Sequence, residues 1–332
     1  MLVLLTPILE SLLIPRKDKY SIHPDILRKL DYIGTEIYSE KPPIDFLFLG
    51  PSSLWSSINA STVEKHLRKV NENEQIFVEN FGHTFNGIGL DYFLLKDLIE
   101  NRGVKTIFLG MVPIRQTEVH RYIRYIWDPI QDSGDLNVKI FSRYYAEKIL
   151  ESVPNLIRHK FFPPEVNPRI LKFIDLTNGS LSQQRDFLNG TEKIKYEELS
   201  RKHLEVSLKD ILYDSTSSDI QALADYTEYQ EFFIRKIMSL AKEKGINIYL
   251  LLPPTLVQEA GFNKLQVLTY KNGERIPGKY LGIPMAKLFA GEDLQSIKKY
   301  YYDLLHTNRN GSEYFTKTML KPLQEIYEQT NH

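Results

Sequence analysis

The chain of 332 residues contains no cysteine. That excludes disulfides, thiolate metal sites and a cysteine nucleophile, so covalent chemistry must use another residue. An excess of either charge is also missing, since 42 Lys and Arg balance 42 Asp and Glu. A net charge of zero removes the electrostatic footprint of a dedicated nucleic-acid binder, and no nucleic-acid partner is expected. There is no glycine-rich phosphate loop, H-E-x-x-H pair or EF-hand spacing, so neither a cofactor nor a metal is expected. A long apolar run is lacking too. Residues 1–15, MLVLLTPILESLLIP, are interrupted by Pro7 and Glu10 and fall short of the roughly 20 residues a spanning helix needs. The basic residues Arg16, Lys17 and Lys19 follow this stretch, whereas a signal peptide carries them ahead of it. Two readings stay open, a buried N-terminal helix and the end of a trimmed membrane anchor, the second implying membrane association through the N-terminus.

What is present describes an ordinary globular protein, 42% hydrophobic and 25% charged. Four runs dense in β-branched and aromatic residues read as strands: IDFLFLG at 44–50, QIFVENFG at 75–82, VKTIFLGM at 104–111 and INIYLLLPP at 246–254. Near-continuous apolar runs are what strands buried on both faces require, which points to a parallel sheet. Helix-like segments at 91–102 and 218–244 end before Gly103 and Gly245. The predicted fold class is α/β, a three-layer α/β/α sandwich with a mainly parallel, flavodoxin-like sheet. Residues 1–43 form an apolar segment and lead-in helix, and 44–332 the α/β domain. The interval after the third strand is too long for a crossover, so 115–215 is a large insertion. Asn272-Gly273 predicts a hairpin within 265–280, near the C-terminal edge of the sheet.

Ligands of doubly wound sheets bind outside the carboxyl ends of the strands. After the first run comes Gly50-Pro51-Ser52-Ser53, where a turn and a helix start place a hydroxyl at the rim. Ser52 is a candidate nucleophile; alternatively it or Ser53 is only a helix N-cap. The segment YYYDLLHTNRNG at 300–311 holds Asp303 and His306 three residues apart, able to share a face. A hydroxyl nucleophile needs a base, and the base needs a carboxylate to orient it; Ser52, His306 and Asp303 supply these roles.

G-x-S after the first strand and D-x-x-H-x-N-x-x-G before the last helix resemble the SGNH (GDSL-type) hydrolase superfamily. In that family a glycine after the second strand and an asparagine after the third complete the oxyanion hole. The resemblance implies that the Ser52 and Gly82 amides receive the oxyanion. The third block departs from the pattern: Gly110-Met111-Val112-Pro113 lacks the amide side chain, which leaves Arg115 as a helper. Pro51 stands where the family often has Asp. The layout is most similar to envelope proteins that acetylate or deacetylate polysaccharides. It implies a Ser-His-Asp esterase or O-acyltransferase acting on acylated carbohydrate, in the cell envelope and outside the cytoplasm, with a cytoplasmic location as the alternative. The rival reading is a weakly active or inactive SGNH-fold protein that binds carbohydrate or scaffolds. His83, beside Gly82, and Trp127, with Tyr122, Tyr125, Tyr144 and Tyr145, are expected substrate contacts or, alternatively, structural residues. The insertion leaves the rim that holds Ser52 and is expected to cap the site.

Overall fold

Strand β1 (Ile44–Leu49) is buried along its whole length, with Leu47 and Leu49 on one side of the sheet and Phe46 and Phe48 on the other. Fully burying each such side chain contributes about 1.5–3 kcal/mol, which is why a strand this short is placed inside the sheet with a neighbour on either side. A computed structural model describes residues 2–22, 28–161, 181, 202–257 and 263–331. Around β1 it arranges β2 (Val78–Asn80), β3 (Val104–Gly110), β4 (Leu212–Asp214), β6 (Asn247–Leu252) and β8 (Lys279–Gly282) in the order β2-β1-β3-β6-β8-β4. All neighbours are parallel except the β4–β8 edge. Counted alone, the five parallel strands run 2-1-3-4-5, the flavodoxin-like order, and the order reverses between β1 and β3. The fold is a three-layer α/β/α sandwich.

Helices cover both faces. One layer, packed on Leu47 and Leu49, holds α2 (Lys29–Ile37), α5 (Ile88–Asn101) and α8 (Glu228–Glu243). The other, packed on Phe46 and Phe48, holds α3 (Ser52–Ser57), α4 (Ala60–Asn71) and α11 (Arg309–Asn331). Short helices α9 (Met285–Leu288) and α10 (Leu294–Lys298) lead into the C-terminal segment of the second layer.

Two expectations are corrected. The helix foreseen over 218–244 begins at Glu228, because Thr227 and Gln230 form a reciprocal capping box; the preceding Ile220–Asp225 is strand β5. β5 pairs in parallel with β7 (Leu265–Thr269) in a separate two-stranded sheet, whereas β8 joins the main sheet. Asn272-Gly273 therefore makes a tight turn, with Gly273 at φ +81, but the strands on either side do not form a hairpin.

Helix α1 (Leu2–Leu13) is anchored by a charge rather than by its leucines. Glu10 is fully buried against Lys148 Nζ at 2.5 Å, on α7 (Val138–Phe161), while Leu4, Leu5, Leu9, Leu12 and Leu13 stay exposed. Burial pulls the Lys148 amine down to about 8 although Glu10 opposes the shift. Just beyond, Arg16 bridges Asp97 and Asp132, and Lys19 pairs with Asp128. Among the described residues no helix is long and apolar enough to cross a membrane.

The described start of the insertion, 115–161 with short helix α6 (Ile123–Ile126), packs on α1 and α5, in the layer opposite α3 and α11. Its His120 Nε2 lies 2.5 Å from Thr84 O, in the loop that bridges Pro51. The rest of the expected cap falls largely on residues 162–180 and 182–201, which lie outside the described residues.

Candidate active site

The close approach of β1, β3 and α3 depends on two glycines. A Cβ at Gly50, which has φ +149, would stand 3.0 Å from Gly110 Cα, and one at Gly110 would stand 2.7 Å from Leu54 Cδ2. Their absence of side chains lets α3 start immediately after Pro51, so Ser52 opens the helix at the point where the strand order reverses. The neighbouring Ser53 is buried and its hydroxyl has no hydrogen-bond partner, so only Ser52 is presented.

His306 reaches Ser52 from the other end of the chain. Tyr301 and Thr307 form an antiparallel bridge that closes a tight loop, and Asp303 Oδ1 accepts the N–H groups of Leu305 and His306 at 2.8 and 2.9 Å. Two hydrogen bonds tie this loop to α3: Thr307 Oγ1 donates to Ser56 O at 2.8 Å, and Thr307 N–H to Ser56 Oγ at 3.2 Å. The rest of the motif holds the loop against α11. Asn308 Oδ1 accepts Gly311 N–H at 3.1 Å, and a Cβ at Gly311 would collide with Tyr300 O.

The result is a continuous relay. Ser52 Oγ lies 2.7 Å from His306 Nε2, and His306 Nδ1 lies 2.8 Å from both oxygens of Asp303. An ionised carboxylate can only accept, so Nδ1 carries the proton and Nε2 is left to accept the serine O–H. Burial alone would raise the Asp303 carboxyl; hydrogen bonds from His306 and from the loop N–H groups outweigh it and hold the group below the usual range. The His306 side chain is 15% exposed and that of Asp303 50%, so the pair stands at an open edge.

The remaining expectations fare differently. Gly82 N–H donates to Asn80 Oδ1 at 2.9 Å, so it is engaged rather than turned to an incoming oxyanion. Its lack of a side chain serves packing, since a Cβ there would lie 2.5 Å from Trp55 Cβ. Arg115 donates to Asp225 O at 2.9 Å, and neither cavity it lines includes Ser52 or His306. Of the expected oxyanion donors, the Ser52 amide remains, in the first turn of α3, where N–H groups have no intrahelical acceptor. His83 is not at the surface: it is fully buried, with Nε2 2.8 Å from Asp91 Oδ1. Trp127 is likewise fully buried, edge-on to Phe141, Tyr144 and Tyr145. Tyr122 and Tyr144 are buried as well and belong to the core, while Tyr125 and Tyr145 are half-buried against it, Tyr145 donating its hydroxyl to Leu4 O at 2.6 Å. Asn59, the first residue of an N-x-S triplet, caps α4 by accepting Thr62 N–H at 3.1 Å.

What sequence reasoning missed is the pair Thr307–Ser56, the link that fixes the loop on the serine-bearing helix; hydroxyls of this kind leave no pattern to find. Comparison with family models, with curated proteins and with solved structures finds no match to the chain.

Proposed function

We propose that this protein is a serine-dependent acyl-ester enzyme of the SGNH type, which hydrolyses an O-acyl group of a carbohydrate or passes it to an acceptor hydroxyl. The observation that carries the reading is the relay from Ser52 Oγ through His306 to Asp303, with both links at 2.7–2.8 Å. Ser52 Oγ attacks the acyl carbon as His306 Nε2 takes the hydroxyl proton, and Asp303 stabilises the imidazolium that forms. The tetrahedral oxyanion falls to the Ser52 amide at the start of α3. Collapse breaks the ester bond, and the leaving alkoxide takes the proton back from Nε2, leaving an acyl-serine. Water or a carbohydrate hydroxyl, deprotonated by the same nitrogen, then releases the acyl group.

We place this activity at the cell envelope, with α1 against a membrane surface. Its exposed leucines and the exposed Lys17 just beyond support that setting, since apolar side chains rimmed by cations suit an anionic interface. A second reading, a carbohydrate-binding or scaffolding protein with little chemistry, is favoured by two observations: Gly82 N–H is already taken by Asn80, and Val112 stands where the family's Gly-x-Asn block has its amide donor. A fluorophosphonate probe separates the two, because it needs an activated serine and no knowledge of the substrate. The enzyme reading expects labelling at Ser52 that is lost in Ser52→Ala and kept in Ser53→Ala. An unlabelled wild-type protein decides for the binding reading.

A further inference from the structure

Two cavities open where the chain leaves β3, and they share Arg115 and Thr117. One, of about 400 Å³, runs past Phe85, Arg121 and Arg124; the other, of about 460 Å³, runs past Arg143, Lys139 and Lys271. Most of these cations have acidic partners. Arg124 is held by Glu147 at 2.7 Å, and Lys139 and Lys271 by Glu228 at 2.8 and 2.6 Å. Three do not. Among the described residues Arg115, Arg121 and Arg143 form no ion pair; Arg115 meets only the Asp225 carbonyl, Arg121 stacks on Phe85 at 4.8 Å, and Arg143 lies over Tyr229 at 5.8 Å. Glu118 and Asp225 also line the cavities, and with Glu228 they are outnumbered by the cations. On a chain whose charges balance overall, three arginines outside any ion pair along a shared lining mark a place for an anion.

Phe85 adds a second, independent observation. It is 62% exposed and has φ +64, a conformation that bulky residues rarely adopt. Neighbouring contacts hold it there: His120 Nε2 lies 2.5 Å from Thr84 O, and Asn86 Nδ2 donates to Ile114 O at 3.2 Å. Strained backbone that presents an apolar ring to solvent is a feature of ligand sites. The loop that carries Phe85 is joined to the turn before the serine, since His83 bridges Pro51. Chain geometry then puts the Cα atoms of Ser52 and Phe85 at most about 16 Å apart.

We infer that the two cavities form one groove for an anionic polysaccharide, bearing carboxylate or phosphate groups, that delivers its acylated residue to Ser52. The inference rests on the acyl-ester reading of that serine. Guanidinium forks match both anions bidentately, and Phe85 offers a face to a sugar ring.

Binding is tested by titration calorimetry on the full chain with probes that carry no ester: a galacturonic acid hexamer, a glycerol-phosphate oligomer, maltohexaose and a single-stranded DNA 12-mer. At least one of the first two should bind, and its affinity should fall about tenfold or more in Arg121→Ala and in Arg115→Ala, each side chain having lost a charge-assisted hydrogen bond. Which of the two binds identifies the anion. Lys69→Ala, an exposed cation on α4, should bind as wild type. Both arginines are exposed, and thermal melting confirms that the variants fold. The inference is overturned if neither anionic saccharide binds, if both arginine variants bind like wild type, if maltohexaose binds equally well, or if DNA binds as tightly. None of these readings uses Ser52, so failure of the serine chemistry, seen by probe labelling, is distinguishable from failure of the groove.

Discussion

Among the described residues two histidine–aspartate pairs share a separation of 2.8 Å in opposite surroundings. His306 and Asp303 stand at an open edge, with Ser52 2.7 Å from the far nitrogen. His83 and Asp91 are buried, and what faces the His83 ring is the ring of His120, 4.9 Å away. A His–carboxylate pair is therefore not itself a sign of catalysis. The third group and access to solvent separate a relay from a brace. The buried pair holds the loop after β2 onto α5, and that loop in turn bridges Pro51, so the brace sets the wall beside the relay.

The widest gap between the pairs should open when each histidine is removed. His306→Ala is expected to lower turnover of an activated ester by about 10⁴-fold or more, as loss of a triad base does, while the thermal midpoint hardly moves. His83→Ala should do the reverse. It strands the Asp91 carboxylate in a dry interior, which costs about 3–5 kcal/mol and appears in a denaturant titration as a lower midpoint. Folded His83→Ala protein should still label at Ser52. A variant of His83 that keeps its stability and loses activity would reverse the assignment of the two pairs.

The comparison also shows what sequence can carry. Asp303 and His306 are legible because their spacing is local, and their place opposite Ser52 follows from strand order although 254 residues separate the serine from the histidine. Strands β1, β3 and β6 are legible because burial on both faces writes long apolar runs, and β2, at the edge, because QIFVENFG is dense in apolar and aromatic residues. Direction is not. His83 and Trp127 sit next to rim segments in the chain, yet their side chains point into the core, and nothing in the order of residues distinguishes inward from outward in a loop. Strand β5 was hidden for a different reason: Ile-Gln-Ala-Leu-Ala-Asp suits a helix by propensity, and only pairing with β7 makes it a strand. The Thr227–Gln230 capping box was the available signal that the helix starts later.

A smaller effect tests how the relay is held. Thr307→Val keeps the shape of the side chain and removes its donor to Ser56 O, a bond of about 1 kcal/mol. Thr307 is a positioning residue, so the loss should fall on turnover, by about tenfold, with KM for a small ester nearly constant. Thr307→Ser, which restores the hydroxyl, should recover most of it. A change confined to KM would mean that the loop contacts substrate directly.

The smallest expected effect is the acid limit of the exposed pair. The Asp303 carboxyl is held below its usual range in the folded protein, so the folded state binds that proton less readily than the unfolded chain. The stabilisation is therefore complete above the ordinary carboxylate value and is lost as pH falls through the lowered, folded one. Because Asp303 is half-exposed, solvent screening keeps the pair within about 0–1 kcal/mol. Comparing wild type with Asp303→Asn by thermal melting isolates the contribution, since a protonated Asp303 resembles the amide. The midpoint difference should shrink below about pH 4, where the carboxylate begins to protonate. Added salt should reduce it above that pH, as expected of a pair in contact with solvent. A difference that persists undiminished to about pH 2 and ignores salt would make Asp303 a buried brace like Asp91, and the contrast between the two pairs would fall.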